Sequence, residues 1–369
     1  MRIGIVVGTR PQIIKCSPLV FELAKVDDFE LTIVHTGQHY DRGMSDIFFE
    51  ELGLPPPAVK LGIGSGSNSW QIGETILRLE KALHGLHVGV VIVPGDTNSA
   101  LAGALTAVKM GIPVAHVEAG ARSHDMTMSE EVNRRLIDHC SRLLFAPTQG
   151  CLENLKRESV PGETFLPGDT MFDAFLRFTP TARKNDILVK LGLTNQDYAL
   201  VTVHRAENVD DAARLKNVVC AISKLGLQAV LPLHPRTKRR LSELKVELPK
   251  GVQLKVIKPV GYLEMLKLLK HARVVLTDSG GLQKEAFWSG VPCVTLRENT
   301  EWVETVRAGV NFLTGTDKRK IIEASKRIDT SYREISRGFS VNPFGDGHAA
   351  ERIVKVLSDA DFSPWNTVK

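Results

Sequence analysis

The stretch Val274-Val275-Leu276-Thr277-Asp278-Ser279-Gly280-Gly281-Leu282-Gln283-Lys284-Glu285 decides the fold class. Three apolar β-formers give way to a polar and glycine turn, and the run from Leu282 through Ala286 into Phe287 reads as the opening of a helix. Ser279, Gly280 and Gly281 then leave backbone N–H groups unsatisfied at a helix N-terminus, where the macrodipole favours an anion such as phosphate. Glu285, one turn further on, is placed to reach hydroxyls next to that phosphate, as in a ribose. The plainer alternative is a strand-to-helix turn closed by a serine cap.

Working outward, the same unit recurs. Apolar runs at Tyr198–Val203, Gln228–Leu233, Val252–Ile257, Val274–Thr277 and Cys293–Leu296 are each followed by a helical pattern. The first half repeats the theme. Arg2–Val7 ends in Gly8-Thr9-Arg10-Pro11, with Pro11 where a first helical turn accepts it. Leu31–His35 runs into a polar loop, Thr36 to Asp41, and a helix through Phe48; Gly62–Ser69 is expected to be a mobile loop. Val88–Val93 ends in Pro94-Gly95-Asp96-Thr97, Val114–Val117 in Glu118-Ala119-Gly120, and Leu143–Ala146 is a further strand. Near-continuous apolar strands alternating with helices are the signature of parallel sheets covered on both faces. The fold expected is α/β, with two Rossmann-like doubly wound domains facing across a cleft. Residues 1–170 form the first domain and 171–345 the second, with Met171–Asp186 as the hinge region. Residues 346–369 are a C-terminal helix and tail packing back toward the first domain.

Length and composition agree. A chain of 369 residues suggests about two domains of roughly 150 to 200 residues each. With 43% hydrophobic and 24% charged residues, this is the composition of a soluble globular protein. No apolar run reaches the roughly 18 to 20 residues of a membrane span, and the sequence begins on a strand, so a cytoplasmic location is expected. Cys16, Cys140, Cys151, Cys220 and Cys293 are widely spaced and odd in number, indicating buried thiols and neither disulfides nor zinc. The formal charge of +5 is spread among acids, which argues against nucleic acid and suits a nucleotide diphosphate substrate. The local run Arg236, Lys238, Arg239 and Arg240 reads as a solvated helix face.

In open α/β sheets ligands bind outside the carboxyl ends of the strands. Arg10, Asp96 and Glu118 stand there in the first domain, and His204, Arg205, His234 and Ser279 to Glu285 in the second. Glu130 opens a helix whose next turn carries Arg134. The first set offers carboxylates for proton transfer. The second suits a diphosphate. Competing structural uses are a helix cap for Asp96 and first-turn acids for Glu130 and Glu131. Neither metal-ligand spacing, nor a Walker A sequence, nor a full dinucleotide fingerprint is present, so no metal or cofactor is expected.

Assembled in order, the motifs resemble the non-hydrolysing UDP-N-acetylglucosamine 2-epimerase family along essentially the whole chain. They are Gly8-Thr9-Arg10-Pro11 with Lys15, Thr36-Gly37-Gln38-His39, Gly95-Asp96-Thr97, His116-Val117-Glu118-Ala119-Gly120 and Glu130-Glu131-Val132-Asn133-Arg134. They continue through His204-Arg205-Ala206-Glu207-Asn208, Asp278-Ser279-Gly280-Gly281, Thr300-Glu301 and Asn342-Pro343-Phe344-Gly345-Asp346-Gly347. The resemblance implies a glycosyltransferase-B architecture, a homodimer, a role in cell-surface polysaccharide biosynthesis, and interconversion of UDP-GlcNAc and UDP-ManNAc through elimination of UDP to a 2-acetamidoglucal. It implies catalytic roles for Asp96, Glu118, Glu130 and His204. Arg10, Lys15, Arg134, Arg205, His234, Ser279, Gly280, Gly281 and Glu285 would bind the UDP-sugar, and no redox cofactor is needed.

Two departures bear on specificity. Trp302 stands where many members carry an arginine, and Met265 where an aromatic is common. Similar replacements occur in the branch acting on UDP-2,3-diacetamido-2,3-dideoxyglucuronate, so that sugar is the alternative substrate. A hydrolysing epimerase of the same architecture would share nearly every motif, and a glycosyltransferase moving the sugar onto an acceptor is a third alternative. The region Gly62 to Gln71 does not match the family's allosteric site, so weak or absent activation by substrate is expected.

Overall fold

The computed structural model describes residues 1–38, 48–195, 197–249 and 253–362. The expected polar loop beyond Gln38, most of the helix through Phe48, Val252 and the tail from residue 363 lie outside these. The chain divides into two compact units: unit 1 is Met1–Arg177 with Pro343–Lys369, and unit 2 is Phe178–Asn342. The sequence reading set these limits at 170/171 and 345/346.

Unit 1 is built from β1 (Arg2–Val7), α1 (Arg10–Leu23), β2 (Glu30–His35), β3 (Val59–Lys60), α2 (Asn68–Leu86), β4 (Val90–Pro94), α3 (Asn98–Lys109), β5 (Val114–Val117), α4 (Ser129–Cys140), β6 (Leu143–Phe145), α5 (Gln149–Arg157), β7 (Glu163–Phe165) and α6 (Thr170–Arg183). Its parallel strands lie in the order β3-β2-β1-β4-β5-β6-β7. β1 is therefore flanked by β2 and β4, and the winding reverses between β1 and β4. Both faces of β4 are buried, as an all-parallel strand with helices above and below requires. Val6, Val91 and Val93 pack with Leu79 and Leu83 of α2 and with Ala100, Leu101 and Ala104 of α3. Each fully buried Val or Leu contributes about 1.5–3 kcal/mol. The alanines, with Gly103 against Val6 and Val93, let α3 sit close on the sheet.

Unit 2 repeats the plan with α7 (Ile187–Leu191), β8 (Tyr198–Thr202), α8 (Ala206–Val209), α9 (Ala212–Ile222), β9 (Gln228–Pro232), α10 (Pro235–Glu243), β10 (Leu254–Ile257), α11 (Tyr262–Lys270), β11 (Val274–Thr277), α12 (Gly280–Ser289), β12 (Cys293–Thr295), α13 (Val303–Arg307), β13 (Asn311–Leu313) and α14 (Lys318–Ile335). The order is β10-β9-β8-β11-β12-β13, again all parallel, with its reversal between β8 and β11. Two Rossmann-like doubly wound units, as the sequence led one to expect, are the result.

Three local readings change. Met171–Asp186, expected as a mixed hinge segment, is helical to Arg183, and the unit boundary falls inside α6. Val88–Val93 begins its pairing later, at Val90. Gly62–Ser69, expected as a mobile loop, is bonded along its first half and helical from Asn68: Ile63 N–H donates to Thr36 O at 2.9 Å and Gly64 N–H to Gly37 O at 2.8 Å.

The chain returns to unit 1 at Pro343 and ends its described part with α15 (Ala349–Asp359), whose buried Ile353, Val354 and Leu357 face inward and which packs on α1. Asp173 of α6 accepts from Ala350 N–H at 2.7 Å, capping this helix. No helix among the described residues is long and apolar enough to cross a membrane.

Candidate functional site

Each unit gathers its chemistry at its own reversal point, where loops leaving adjacent strands diverge to opposite faces and open a crevice. In unit 1 the loops follow β1, β4 and β5. Gln12 of α1 joins the first two: its Oε1 accepts from Gly8 N–H at 2.8 Å and Thr9 N–H at 3.2 Å, and its amide donates to Pro94 O at 2.9 Å. Gly8 has no room for a Cβ, because Thr36 and Ser99 hydroxyls, bonded to each other at 2.6 Å, lie against it. Arg10 opens α1 and lays its guanidinium 4.7 Å from the Phe48 ring centroid.

Lys15 of α1 pairs with Glu118, and both side chains are largely buried. Glu118 follows β5 with φ +72, a conformation that costs a non-glycine residue about 1–2 kcal/mol. It is fixed from behind: Glu118 N–H and Ala119 N–H both donate to Phe145 O, at 3.1 and 3.0 Å. Asp96 follows β4 through Gly95. Its carboxylate, about a third exposed, receives Arg134 Nη2 at 2.5 Å and Nε at 3.2 Å, and its carbonyl accepts from Asn133 at 2.9 Å.

Successive residues of α4 meet different surroundings. Glu130 is half-buried, with Ser129 Oγ at 3.2 Å from its carboxylate. Glu131 is fully buried and accepts from Ser123 N–H and Oγ at 2.8 and 3.0 Å, Arg134 at 2.9 Å and Arg135 at 3.0 Å. Burial opposes its ionisation, but the Ser123 amide and hydroxyl, Arg134 and Arg135 outweigh it and hold the carboxyl below its usual range. The Arg134 fork is thus divided between Asp96 and Glu131.

Beneath these turns lies a buried polar cluster. His116 of β5 has Nε2 2.8 Å from Gly95 O and Nδ1 2.6 Å from Asp138 Oδ1. Asp138 also accepts from Gly120 N–H at 3.1 Å and faces Arg122 at 2.7 Å, and Arg122 in turn grips Glu158. Burial pushes the Asp138 carboxyl up, yet His116 and Arg122 together bring it below its ordinary value.

In unit 2 the loops follow β8 and β11, whose ends are joined by Thr202 and Thr277 hydroxyls at 2.6 Å. Asp278, with no exposed surface, accepts from His204 N–H at 3.0 Å, Arg205 N–H at 2.9 Å and Asn208 Nδ2 at 3.1 Å, and lies 3.3 Å from His204 Nδ1. Ser279 is the N-cap of α12, its Oγ accepting from Leu282 N–H at 3.4 Å. Gly280 and Gly281 occupy the first turn. The serine-cap alternative is therefore correct in itself; the cap engages the amide of Leu282 and Gln283 N–H donates to Ser279 O at 3.2 Å, while the amides of Gly280 and Gly281 precede the first intrahelical bond.

His204 and His234 bring their rings to 5.5 Å, and His234 caps α10 through Arg236 N–H. Arg205 reaches within 3.9 Å of Glu301, which is gripped by buried Arg297 at 2.8 and 3.1 Å. Glu285 is buried on α12. Trp302 is also buried, with Nε1 3.1 Å from where a Gly280 Cβ would stand and the Lys284 ammonium 4.0 Å above its ring. The basic run of α10 is a paired helix face, as the sequence suggested: Arg236 and Arg240 hold Asp210, and Arg239 and Arg240 hold Glu243.

The sequence reading singled out the groups at the strand ends, with Lys15 and Arg134 beside them, and named Glu131 only as a first-turn acid; it missed Gln12, Asp138 and Arg297. Among the described residues no cluster of His, Cys, Asp and Glu has the makings of a metal site.

Known proteins resemble the chain along nearly its whole length. A sequence model described as UDP-N-acetylglucosamine 2-epimerase matches residues 22–358. A UDP-N-acetylglucosamine 2-epimerase of Methanocaldococcus jannaschii is 46% identical over 368 residues, spanning 97% of this chain and 99% of its own. A UDP-2,3-diacetamido-2,3-dideoxy-D-glucuronate 2-epimerase of Pseudomonas aeruginosa is 42% identical over 369 residues, spanning 97% and 99%. The crystal structure of the Methanocaldococcus jannaschii UDP-GlcNAc 2-epimerase in complex with UDP-GlcNAc and UDP superposes with a TM-score of 0.89 at 45% identity, covering 98% of this chain and 100% of that one.

Proposed function

The chain belongs to the UDP-N-acetylglucosamine 2-epimerase family, and from that membership we propose that it interconverts UDP-GlcNAc and UDP-ManNAc by elimination and re-addition of UDP. It is a UDP-sugar 2-epimerase, an isomerase. The observation that carries the reading is the pair of carboxylates in unit 1, Asp96 and Glu118, each at the end of a strand and each set against a largely buried cation, Arg134 and Lys15.

In the reaction the C2–H bond breaks, its electrons form the C1–C2 double bond, and the C1–O bond breaks with UDP leaving on the electron pair. The 2-acetamidoglucal then takes UDP back at C1 and a proton at C2 from the opposite face. The hydrogen on C2 is a poor acid, so the departing diphosphate must be stabilised. In our reading the amides of Gly280 and Gly281, the Ser279 turn, Arg10, His204, Arg205 and His234 do this, and Glu285 takes the ribose. Asp96, Glu118 and Glu130 handle the protons, with Lys15 and Arg134 as the cations beside them. Elimination and re-addition leave the oxidation state unchanged, so no redox partner enters.

Trp302 favours a second reading, in which the sugar is the diacetamido-uronate. The indole covers Gly280 in place of an arginine, and the Pseudomonas aeruginosa relative is nearly as similar as the archaeal one. The test is incubation in deuterated water with each UDP-sugar. Deuterium at C2 of UDP-GlcNAc, with UDP-ManNAc formed, is the expected result; incorporation only into the diacetamido sugar selects the second reading, and none into either removes the mechanism. Free UDP and ManNAc as main products would identify a hydrolase. We also take the enzyme to be a cytoplasmic homodimer supplying cell-surface polysaccharide synthesis; sedimentation at one subunit mass would refute the dimer.

A further inference from the structure

His116 and Asp138 have no exposed surface, and the reaction as described uses neither. His116 lies in β5 two residues before Glu118; Asp138 comes from α4. Each group touches a different turn. His116 Nε2 bonds the carbonyl of Gly95, the residue before Asp96, and Asp138 Oδ2 accepts from the amide of Gly120, two residues after Glu118. The turns so held both leave the ordinary backbone regions: φ is +66 at Gly95 and +79 at Gly120, which glycine takes freely, and +72 at Glu118, where a side chain makes it costly. Such conformations persist where the surroundings over-determine them.

The hydrogen-bond pattern sets the protons. A carbonyl oxygen has none to give, so Nε2 must donate to Gly95. Asp138 already accepts from Gly120 and faces Arg122 at 2.7 Å, an arrangement for a carboxylate, so Nδ1 donates to Asp138 at 2.6 Å. A ring whose two nitrogens both donate is an imidazolium. The charges balance, since Asp138 answers His116 and Glu158, at 2.7 and 3.0 Å, answers Arg122.

We propose that His116 and Asp138 form a positioning dyad for the epimerisation: a buried imidazolium–carboxylate pair that grips the Gly95–Asp96 turn with one member and the Glu118–Gly120 turn with the other, fixing the spacing of the two reacting carboxylates. It rests on the reading of Asp96 and Glu118 as the groups that move the C2 proton. Binding of UDP, assigned to residues elsewhere, does not depend on it.

The test compares His116→Gln and Asp138→Asn with wild type, using whichever UDP-sugar the wild type exchanges. With unchanged far-UV circular dichroism and UDP affinity, kcat and the rate of C2 deuteration should both fall about a hundredfold while KM moves less than about threefold. A kcat within twofold of wild type, or a loss confined to KM, would overturn the dyad. Should both variants fail to fold, nitrogen NMR of the wild type with labelled histidine decides: two protonated ring nitrogens at His116 at neutral pH are expected, and a single one refutes the imidazolium. Asp96→Asn and Glu118→Gln run alongside separate the two claims. Retained C2 exchange in these sinks the reading of the acids; its loss here but not in His116→Gln sinks the dyad alone.

Discussion

Gly95 turns at φ +66 between β4 and Asp96, and an added Cβ would stand 3.2 Å from both Glu118 Oε2 and Lys15 Nζ. Gly111 has nearly the same backbone, φ +73, with nothing within 4 Å. Gly95→Ala and Gly111→Ala should therefore each cost about 1–2 kcal/mol in urea unfolding, while only Gly95→Ala lowers turnover, because only there does the methyl group press on the Lys15–Glu118 pair. Equal turnover in the two would show that the close approach does not matter. At this scale the sequence discloses chemistry better than support. Asp96, Glu118, His204 and Ser279 are legible because an apolar run ends just before or near each. Asp278 looks like one polar turn residue among several, since the amides it holds belong to His204 and Arg205, more than seventy positions away. The same holds for Asp138, whose histidine lies on another element. Buried polar residues declare themselves only through partners that the fold brings.

Among elements, the longer strands were legible as apolar runs, whereas the short edge strands β3, β7 and β13 were not, and neither was α6. Thr179, Pro180 and Thr181 interrupt its pattern, and its helix is secured by tertiary packing of Ala174, Phe175 and Phe178, all buried. The same helix carries Asp173, which caps α15 with one oxygen while Oδ1 is buried without a hydrogen-bond partner. Burial pushes this carboxyl up to about 6; the Ala350 and Ala349 amides and His348 pull it down, and Asp169 adds to the rise. A folded value above the unfolded one means that the native state binds more protons between the two. The contribution of this group to stability is then fully present below about pH 4 and is lost as pH rises through about 6. In Asp173→Asn, which keeps an acceptor for Ala350, this group's decline over the window should vanish, leaving the variant more stable than wild type at pH 7 by about 3 kcal/mol. Urea titrations at pH 5 and pH 7 read the difference; a wild type whose stability rises over that interval by more than the variant's contradicts it.

For the whole molecule, the decisive fact is duplication of one plan: two parallel sheets, each with its own core and its own reversal point. Asp96 and Glu118 stand at the first and the opening turn of α12 at the second, so the proposed sugar and nucleotide roles are separable by experiment. UDP without its sugar, at a hundred times its Kd, should stabilise what it binds by about 2.7 kcal/mol. Slowed amide exchange in β8, β11 and α12, and at Arg10, with β6 and β7 unchanged, is the expected pattern; equal slowing in β6 and β7 would overturn the division of roles. The position of Trp302 has a further, optical consequence. Its indole is buried against Gly280 with the Lys284 ammonium over its face, whereas Trp70 is nearly half exposed. The two should emit at different wavelengths, the buried one further to the blue. A diphosphate bound at Gly280, as proposed, would alter the field across that indole, so unlabelled protein should report its own occupancy by intrinsic fluorescence, a signal that Trp302→Phe should abolish and Trp70→Phe should preserve.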